Sequence, residues 1–278
     1  MVSEDTIREL NSIAQKLRLD VLEMIGINTA GHLGGSLSLA EAMAVLYFYR
    51  LKIGKETLGD PHRDRLLLSK GHAVLIQYAA LCEREFFPRE ELKRVKTLNG
   101  LLQGHPDLSI PGIEAVTGSL GQGLSIGVGM ALALRLDKSP ARVFVVMGDG
   151  EQSEGQLWEA AQAAANFNID NLTAFLDWNK VQATGPTKKT FNIPDLDEKW
   201  SSFGWEVFTV NGHDPAEIIE ALEQAEEVKG RPSLIILDTI KGKGVSFAEG
   251  NAAYHNAILD EAAYNKAYKE LNAAKAGE

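Results

Sequence analysis

Two hydrophobic rhythms alternate along this chain. Near the start, Ile7, Leu10, Ile13, Ala14, Leu17, Val21 and Ile25 recur at helical spacing. Residues 5–26 are therefore expected as an amphipathic helix, with Ser3 or Asp5 as its cap. Elsewhere the apolar residues come in short runs, at Arg65–Ser69, Val143–Met147, Leu172–Leu176 and Pro232–Thr239, with a further strand at Trp205–Val210. Continuous apolar strands suit a parallel sheet covered on both faces. Helical patterns separate them, at Ser38 to about Ile53, 72–84, 121–136, 156–167, 195–203, Asp214 to about Val228 and 260–273, with a short one over 89–96. Pro215 stands at the first position of its helix, where a missing N–H costs nothing. Residues 28–35, 98–112 and 182–194 lack either rhythm and are expected as loops, the last being of a length common at active sites and interfaces. Alternating strands and helices predict an α/β fold, an open, mostly parallel sheet with helices on both faces. No repeat and no linker divides residues 1–278, which fit one large domain better than two small ones.

The stretch from Val143 to Ala183 organises the rest. It reads as a strand, the turn Gly148-Asp149-Gly150-Glu151, a helix, and a returning strand that ends in Asp177-Trp178-Asn179-Lys180. A helical crossover makes the two strands parallel neighbours, with a right-handed connection. Both then end on the edge where open α/β sheets bind ligands. Asp149 and Asn179 bring a carboxylate and an amide oxygen together there, a set that suits a hard cation such as Mg²⁺, with Ca²⁺ the alternative. Gly148 and Gly150 let a ligand approach the backbone. The amides from Gly150 and Glu151 onward open the helix and form an anion site. Together these features predict a diphosphate held between a metal ion and a helix start. Gly-Asp-Gly is also a common turn, and Asn179 after the second strand is what favours the cofactor reading.

In Gly121–Leu136, Gly123, Gly127 and Gly129 each cost roughly 1 kcal/mol against alanine in a helix. Close packing on a neighbour or a subunit contact would explain them. Six histidines occur. His32, His72, His105 and His255 fall in loops or at helix starts near the same sheet edge, and converging imidazoles suit acid–base work near neutral pH. His62 has no chemical neighbour in sequence, and His213, just before the Asp214 cap, reads as structural. Lys243 in Lys-Gly-Lys-Gly is either a diphosphate contact or a solvated lysine at a strand end.

Composition narrows the function classes. The net charge is −10, and no basic run exceeds Lys188-Lys189, which argues against a nucleic-acid groove. Cys82 is the only cysteine, so no internal disulfide forms and a reducing cytoplasm is expected. No signal peptide is visible at Met1–Asp5, and no apolar run approaches the ~20 residues of a membrane helix.

Five blocks in order resemble the transketolase family: Gly31-His32-Leu33-Gly34-Gly35, Leu68-Ser69-Lys70-Gly71-His72-Ala73, Gly104-His105-Pro106, Thr117 to Gly123, and Gly148-Asp149-Gly150 with Asn179-Lys180. The resemblance implies a thiamine-diphosphate-binding fold of the diphosphate type. It implies that Asp149, Asn179 and the carbonyl of Val181 hold the metal. It further implies that Gly118, Ser119 and Leu120 contact the cofactor, and that Glu154 lies near it at a dimer interface. Glu154 would also favour the helix dipole simply as a first-turn acid. By the same resemblance His32, His72, His105 and His255 face the substrate. His105 and His255 are the better candidates for proton transfer and carbonyl polarisation, although the family usually shows His-Gly where this chain has His255-Asn256.

In such enzymes the glutamate that activates the cofactor belongs to a second, pyrimidine domain. Nothing here resembles that domain. The expectation is therefore the N-terminal subunit of a split transketolase. A C-terminal subunit would supply the pyrimidine domain, a second copy of each chain would complete a two-plus-two assembly, and sugar phosphates would be the substrates. Deoxyxylulose-phosphate synthase and 2-oxoacid dehydrogenase subunits are the rivals among enzymes. A Rossmann dinucleotide binder lacks a strand before Gly121, and a non-catalytic homologue would not need the intact Asp149, Asn179 and histidines.

Overall fold

A computed structural model describes residues 2–275. Five parallel strands form the central sheet: β1 (Arg65–Leu68), β2 (Val143–Gly148), β3 (Leu172–Trp178), β4 (Glu206–Asn211) and β5 (Ser233–Asp238). Their order across the sheet is β1-β2-β3-β5-β4. The chain steps outward through β1, β2 and β3, jumps to the far edge as β4, and returns to insert β5. Registers are continuous, with Gly148 opposite Asp177 and Trp178 opposite Asp238. The strand ends therefore line up.

Residues that alternate along each strand point to two separate cores. Leu66, Leu68, Phe144, Val146, Phe175, Ile235 and Leu237 join one of them. There they pack against helices α1 (Glu4–Ile25), α2 (Val74–Glu83), α5 (Pro215–Glu227) and α6 (Glu261–Lys275). Leu67, Val143, Val145, Met147, Leu172, Ala174, Leu176, Leu234 and Ile236 join the other, under α3 (Gln122–Leu136) and α4 (Gly155–Asn166). Burial on both faces explains why β1, β2, β3 and β5 read as apolar runs, whereas the edge strand β4 is only half-buried. At roughly 25 cal/mol per Å² of apolar area, these two cores supply the main driving force for the sheet.

Ser3 caps α1 by accepting from the Thr6 amide, and Asp214 caps α5 by accepting from the Ala216 amide with Pro215 at its first position. Two of the α3 glycines are packing requirements. A Cβ at Gly123 would sit 2.3 Å from Ser69 Oγ, and one at Gly127 would sit 2.4 Å from Val145 Cγ2. Gly129 has open space around it, so packing within this chain does not explain it.

The departures from sequence expectation are local. Residues 28–35 are not all loop, because Ala30–Gly31 pairs antiparallel with Ala257–Ile258. The helix expected from Ser38 is broken into Gly34–Leu37, Ala40–Val45 and a wide turn at Leu46–Arg50. The loop after β3 contains a small hairpin, Val181–Gln182 with Gly185–Pro186, and a short helix, Thr187–Thr190. Among the described residues, no helix is long and apolar enough to cross a membrane.

Candidate cofactor site at the carboxyl edge of the sheet

The ends of β1, β2, β3 and β5 surround a cavity of about 390 Å³. β1 delivers Lys70, β2 delivers Asp149, β3 delivers Asn179, and β5 delivers Lys241. Of the residues singled out from sequence, His32, His72, Gly118, Leu120, Asp149, Gly150, Glu151, Glu154, Asn179, Val181 and His255 line it.

The floor is a buried polar network centred on Asp177. This carboxylate accepts from Ser38 Oγ at 2.7 Å, from Asn179 Nδ2 at 2.8 Å, from the Thr239 hydroxyl and from the Lys70 ammonium. Burial, the largest influence, pushes its pKa up, but the Lys70 charge and the hydrogen bonds from Lys70, Thr239 and Ser38 together hold it below the usual carboxylate range. The bond to Asp177 fixes which way the Asn179 amide faces: its nitrogen turns to Asp177 and its oxygen turns away. Asn179 Oδ1 accepts from the Val181 amide at 3.2 Å.

Asp149 is nearly buried, and burial followed by the Asp177 carboxylate raises its pKa. Such a group gains from a cation beside it. Its Oδ2 accepts from Thr187 Oγ1 at 3.2 Å, so the hairpin loop reaches the site. Lys241 donates to the Val181 carbonyl at 2.7 Å and lies 3.0 Å from His255 Nδ1. Burial, and then Lys70, lowers the Lys241 pKa to about 8.

The donor set fits a diphosphate with a hard divalent ion. Asp149, the Asn179 oxygen and the Val181 carbonyl are oxygen ligands, and two buried ammonium groups face the same space. No cluster of three or more His, Cys, Asp or Glu able to hold a metal occurs among the described residues. A Mg²⁺ site completed by phosphate oxygens needs no such cluster.

Four imidazoles gather at the mouth. Ring centroids lie 5.2 Å apart for His32–His72, 4.9 Å for His72–His255, 5.5 Å for His32–His255 and 6.2 Å for His32–His105. Burial is the first cause of depressed basicity in three of them, with neighbouring cations second. His32 falls to about 4, His255 to about 3 and His72 to about 2. These rings are neutral at physiological pH. Because Lys241 donates to His255 Nδ1, the His255 proton sits on Nε2. His105 is just outside the cavity lining, with its ring against Gly118: a Cβ there would meet His105 Cδ2 at 2.5 Å, and φ is +125°. Only glycine fits that position.

Not every residue singled out from sequence turns a side chain to the cavity. Lys243 lies outside the lining, because Gly242, at φ +78°, turns the chain after Lys241. Lys241, together with Lys70, lines the cavity instead. Ser119 is exposed and also outside the lining. Glu151 lines the cavity, but its carboxylate faces into the protein. It accepts from the Gly121 amide at 2.9 Å, the Gly148 amide at 3.0 Å and the Ser69 hydroxyl, bracing two turns rather than offering itself to a ligand. Residues 149–153 form a separate 3₁₀ turn, so α4 opens at Gly155 rather than directly after Gly150. Lys70, Asp177 and Lys241 were not singled out from sequence. A lysine and an aspartate at strand ends in a parallel sheet were the available signal.

Comparison with known proteins agrees with this geometry. Residues 10–275 match the family described as transketolase, thiamine diphosphate binding domain. The 6-deoxy-6-sulfo-D-fructose transketolase subunit SqwG of Clostridium sp. (strain MSTE9) is 46% identical, over 95% of this chain and 96% of that protein. A subunit of the apulose-4-phosphate transketolase of Phocaeicola vulgatus is 38% identical, over 93% of this chain and 92% of that protein. The crystal structure of transketolase from Campylobacter jejuni superposes with a TM-score of 0.90 at 33% identity, covering 96% of this chain and 43% of that one. The chain therefore belongs to the transketolase family and carries its thiamine diphosphate binding domain.

Proposed function

We propose that this chain is the N-terminal subunit of a two-chain transketolase, folded as one diphosphate-type domain, with Mg²⁺ joining the diphosphate to Asp149, Asn179 and the Val181 carbonyl. One observation carries the reading: a single cavity places these oxygen ligands and the Lys70 and Lys241 ammonium groups beneath a cluster of neutral histidines. Lys70 and Lys241 offset the diphosphate charge, which an acidic chain of net charge −10 would otherwise repel. Gly118 and Leu120, which line the cavity, would contact the cofactor rings. When bound, thiamine diphosphate supplies a nucleophilic carbon and an electron sink. The chain's own residues do the rest. His255 presents Nε2–H to a developing alkoxide, His105 moves protons at the rim, and His32 and His72 orient the sugar hydroxyls.

The reaction is transfer of a two-carbon ketol unit from a ketose phosphate of the xylulose 5-phosphate type to an aldose phosphate. A partner chain supplies the pyrimidine domain, and the assembly contains two copies of each chain. The names of two relatives that are matched nearly end to end, both transketolase subunits, support a partner. A second donor calls for a parallel assay, because the relative at 46% identity is named for 6-deoxy-6-sulfo-D-fructose.

The test mixes this chain with its candidate partner, thiamine diphosphate and Mg²⁺, and follows ketol transfer to ribose 5-phosphate from either donor. Transfer only in the mixture is expected. Turnover by this chain alone would refute the split enzyme, and turnover with the sulfonated donor alone would replace the xylulose reading.

A further inference from the structure

His213 lies outside the cavity, yet it holds the strand end that enters it. β4 and β5 finish side by side, with Asn211 opposite Asp238. The turn after β4 then grips the residues after β5 at successive points. The Gly212 amide donates to the Asp238 carbonyl at 2.9 Å. Gly212 must lack a side chain, since a Cβ would stand 2.4 Å from Thr239 Cγ2 and 2.8 Å from Leu237 Cβ. The Ile240 amide donates to His213 Nε2 at 2.9 Å.

That last bond fixes the imidazole. A backbone amide only donates, so Nε2 is the acceptor and the proton sits on Nδ1. Nδ1 lies 3.0 Å from Glu41 Oε2, to which it donates. Glu41 is buried and is itself held by Arg18 Nη2 at 2.7 Å. The relay runs from Arg18 in α1 through Glu41 and His213 to the Ile240 amide. Ile240 separates the two residues that β5 sends into the site: Thr239, which donates to Asp177, and Lys241, which reaches the Val181 carbonyl and His255.

We infer that His213 is a positioning residue for the cofactor site, setting Lys241 through the Ile240 amide. A histidine whose two nitrogens are both engaged, one by a backbone amide and one by a buried carboxylate, cannot rotate without breaking one of the bonds. A glutamine retains an acceptor near the Nε2 position. An asparagine is too short to reach Ile240 but keeps the bond to Glu41. Phenylalanine loses both bonds.

The inference rests on the cavity being the thiamine diphosphate site, so the experiment separates the two. Thiamine diphosphate with Mg²⁺ is titrated by calorimetry into the unaltered chain and into His213→Phe, His213→Asn, His213→Gln, Lys241→Met and His213→Asn/Lys241→Met. Amide hydrogen exchange is followed over residues 237–244 in each. His213→Phe and His213→Asn should weaken binding about tenfold, the scale of one lost hydrogen bond. His213→Gln should stay within about threefold of the unaltered chain by the same scale. The double variant should bind no more weakly than Lys241→Met alone, because the two act through one group. Exchange at Ile240 should accelerate at least about tenfold in the Asn and Phe variants and not in Gln. Unchanged affinity in His213→Asn, or losses that multiply in the double variant, would overturn the inference. If the unaltered chain binds no thiamine diphosphate either alone or mixed with its candidate partner, the cofactor reading fails instead, and exchange at Ile240 still decides whether His213 clamps the strand end. Should His213→Phe not fold, the Asn and Gln pair carries the same test.

Discussion

At the floor of the cavity Asp177 is wholly buried and accepts from Ser38, Lys70, Asn179 and Thr239. At its mouth the rings of His32, His72 and His105 make no hydrogen bond to any described residue, and only His255 has a partner, in Lys241. The floor is complete within this chain. The Lys70–Asp177 charges are tolerated away from water because they are paired and hydrogen-bonded. The mouth is the reverse. His32, His72 and His255 stay neutral through burial and nearby cations, and the ring nitrogens of His32 and His72 are left free for a ligand. A preorganised floor can hold an anion without rearrangement, whereas an open mouth must be finished by substrate, cofactor or another chain. The part that binds is thus more self-sufficient than the part that reacts.

The comparison breaks most severely at Asp177. Asp177→Asn leaves the Lys70 ammonium buried without its counter-charge, and chemical denaturation should show a loss of about 3–5 kcal/mol. A loss under about 1 kcal/mol would mean that Lys70 already escapes to water. Next comes Asp149→Ala, which removes a proposed ligand without stranding a cation. It should leave stability nearly unchanged and weaken Mg²⁺-dependent binding of thiamine diphosphate by about 100-fold or more, beyond what outer ligand partners typically cost. Lys241→Met should cost about tenfold in the same titration, as one charge-assisted contact. Because Lys241 sits at about 8, the affinity of the unaltered chain for the diphosphate should decline as pH rises through that value. In Lys241→Met the decline should disappear.

A pH dependence is expected at the mouth, and its sign follows from proton counts. His32, His72 and His255 have folded pKa values near 4, 2 and 3, below the ordinary 6.5. Above pH 6.5 they are neutral in both states and cost nothing. Below it the unfolded chain takes up protons that the folded chain refuses, so stability falls with falling pH. The melting temperature should therefore drop between pH 6.5 and about 4, and His72→Gln should make that drop shallower. An unaltered slope in His72→Gln would remove His72 from the buried neutral group.

The sheet was legible in the sequence because burial on both faces leaves unbroken apolar runs such as Val143–Met147 and Leu172–Leu176. The α4 crossover was legible for the same reason, shifted by one residue. The broken helix at Gly34–Arg50 was not, since its turns are set by packing of Gly34 against Lys241 and Tyr254, far away in the chain. Asp149, Asn179 and the histidines stood out because polar residues at strand ends and glycine turns are anomalous. Lys70 and Lys241 did not stand out, because a lysine at a strand end looks solvated until its burial is known. Lys243 drew attention in its place, and one glycine turn at Gly242 separates the two. The inward orientation of Glu151 depends on Ser69 and Gly121, brought to it only by the sheet and α3.

The most direct test of the account is the affinity of this chain for thiamine diphosphate, titrated with Mg²⁺ and again with the divalent ions chelated. If Asp149, Asn179 and the Val181 carbonyl clamp a metal onto the diphosphate, chelation abolishes most of the binding and Asp149→Ala reproduces that loss with Mg²⁺ present. Binding that is equally tight with and without the metal, and unchanged in Asp149→Ala, would contradict it.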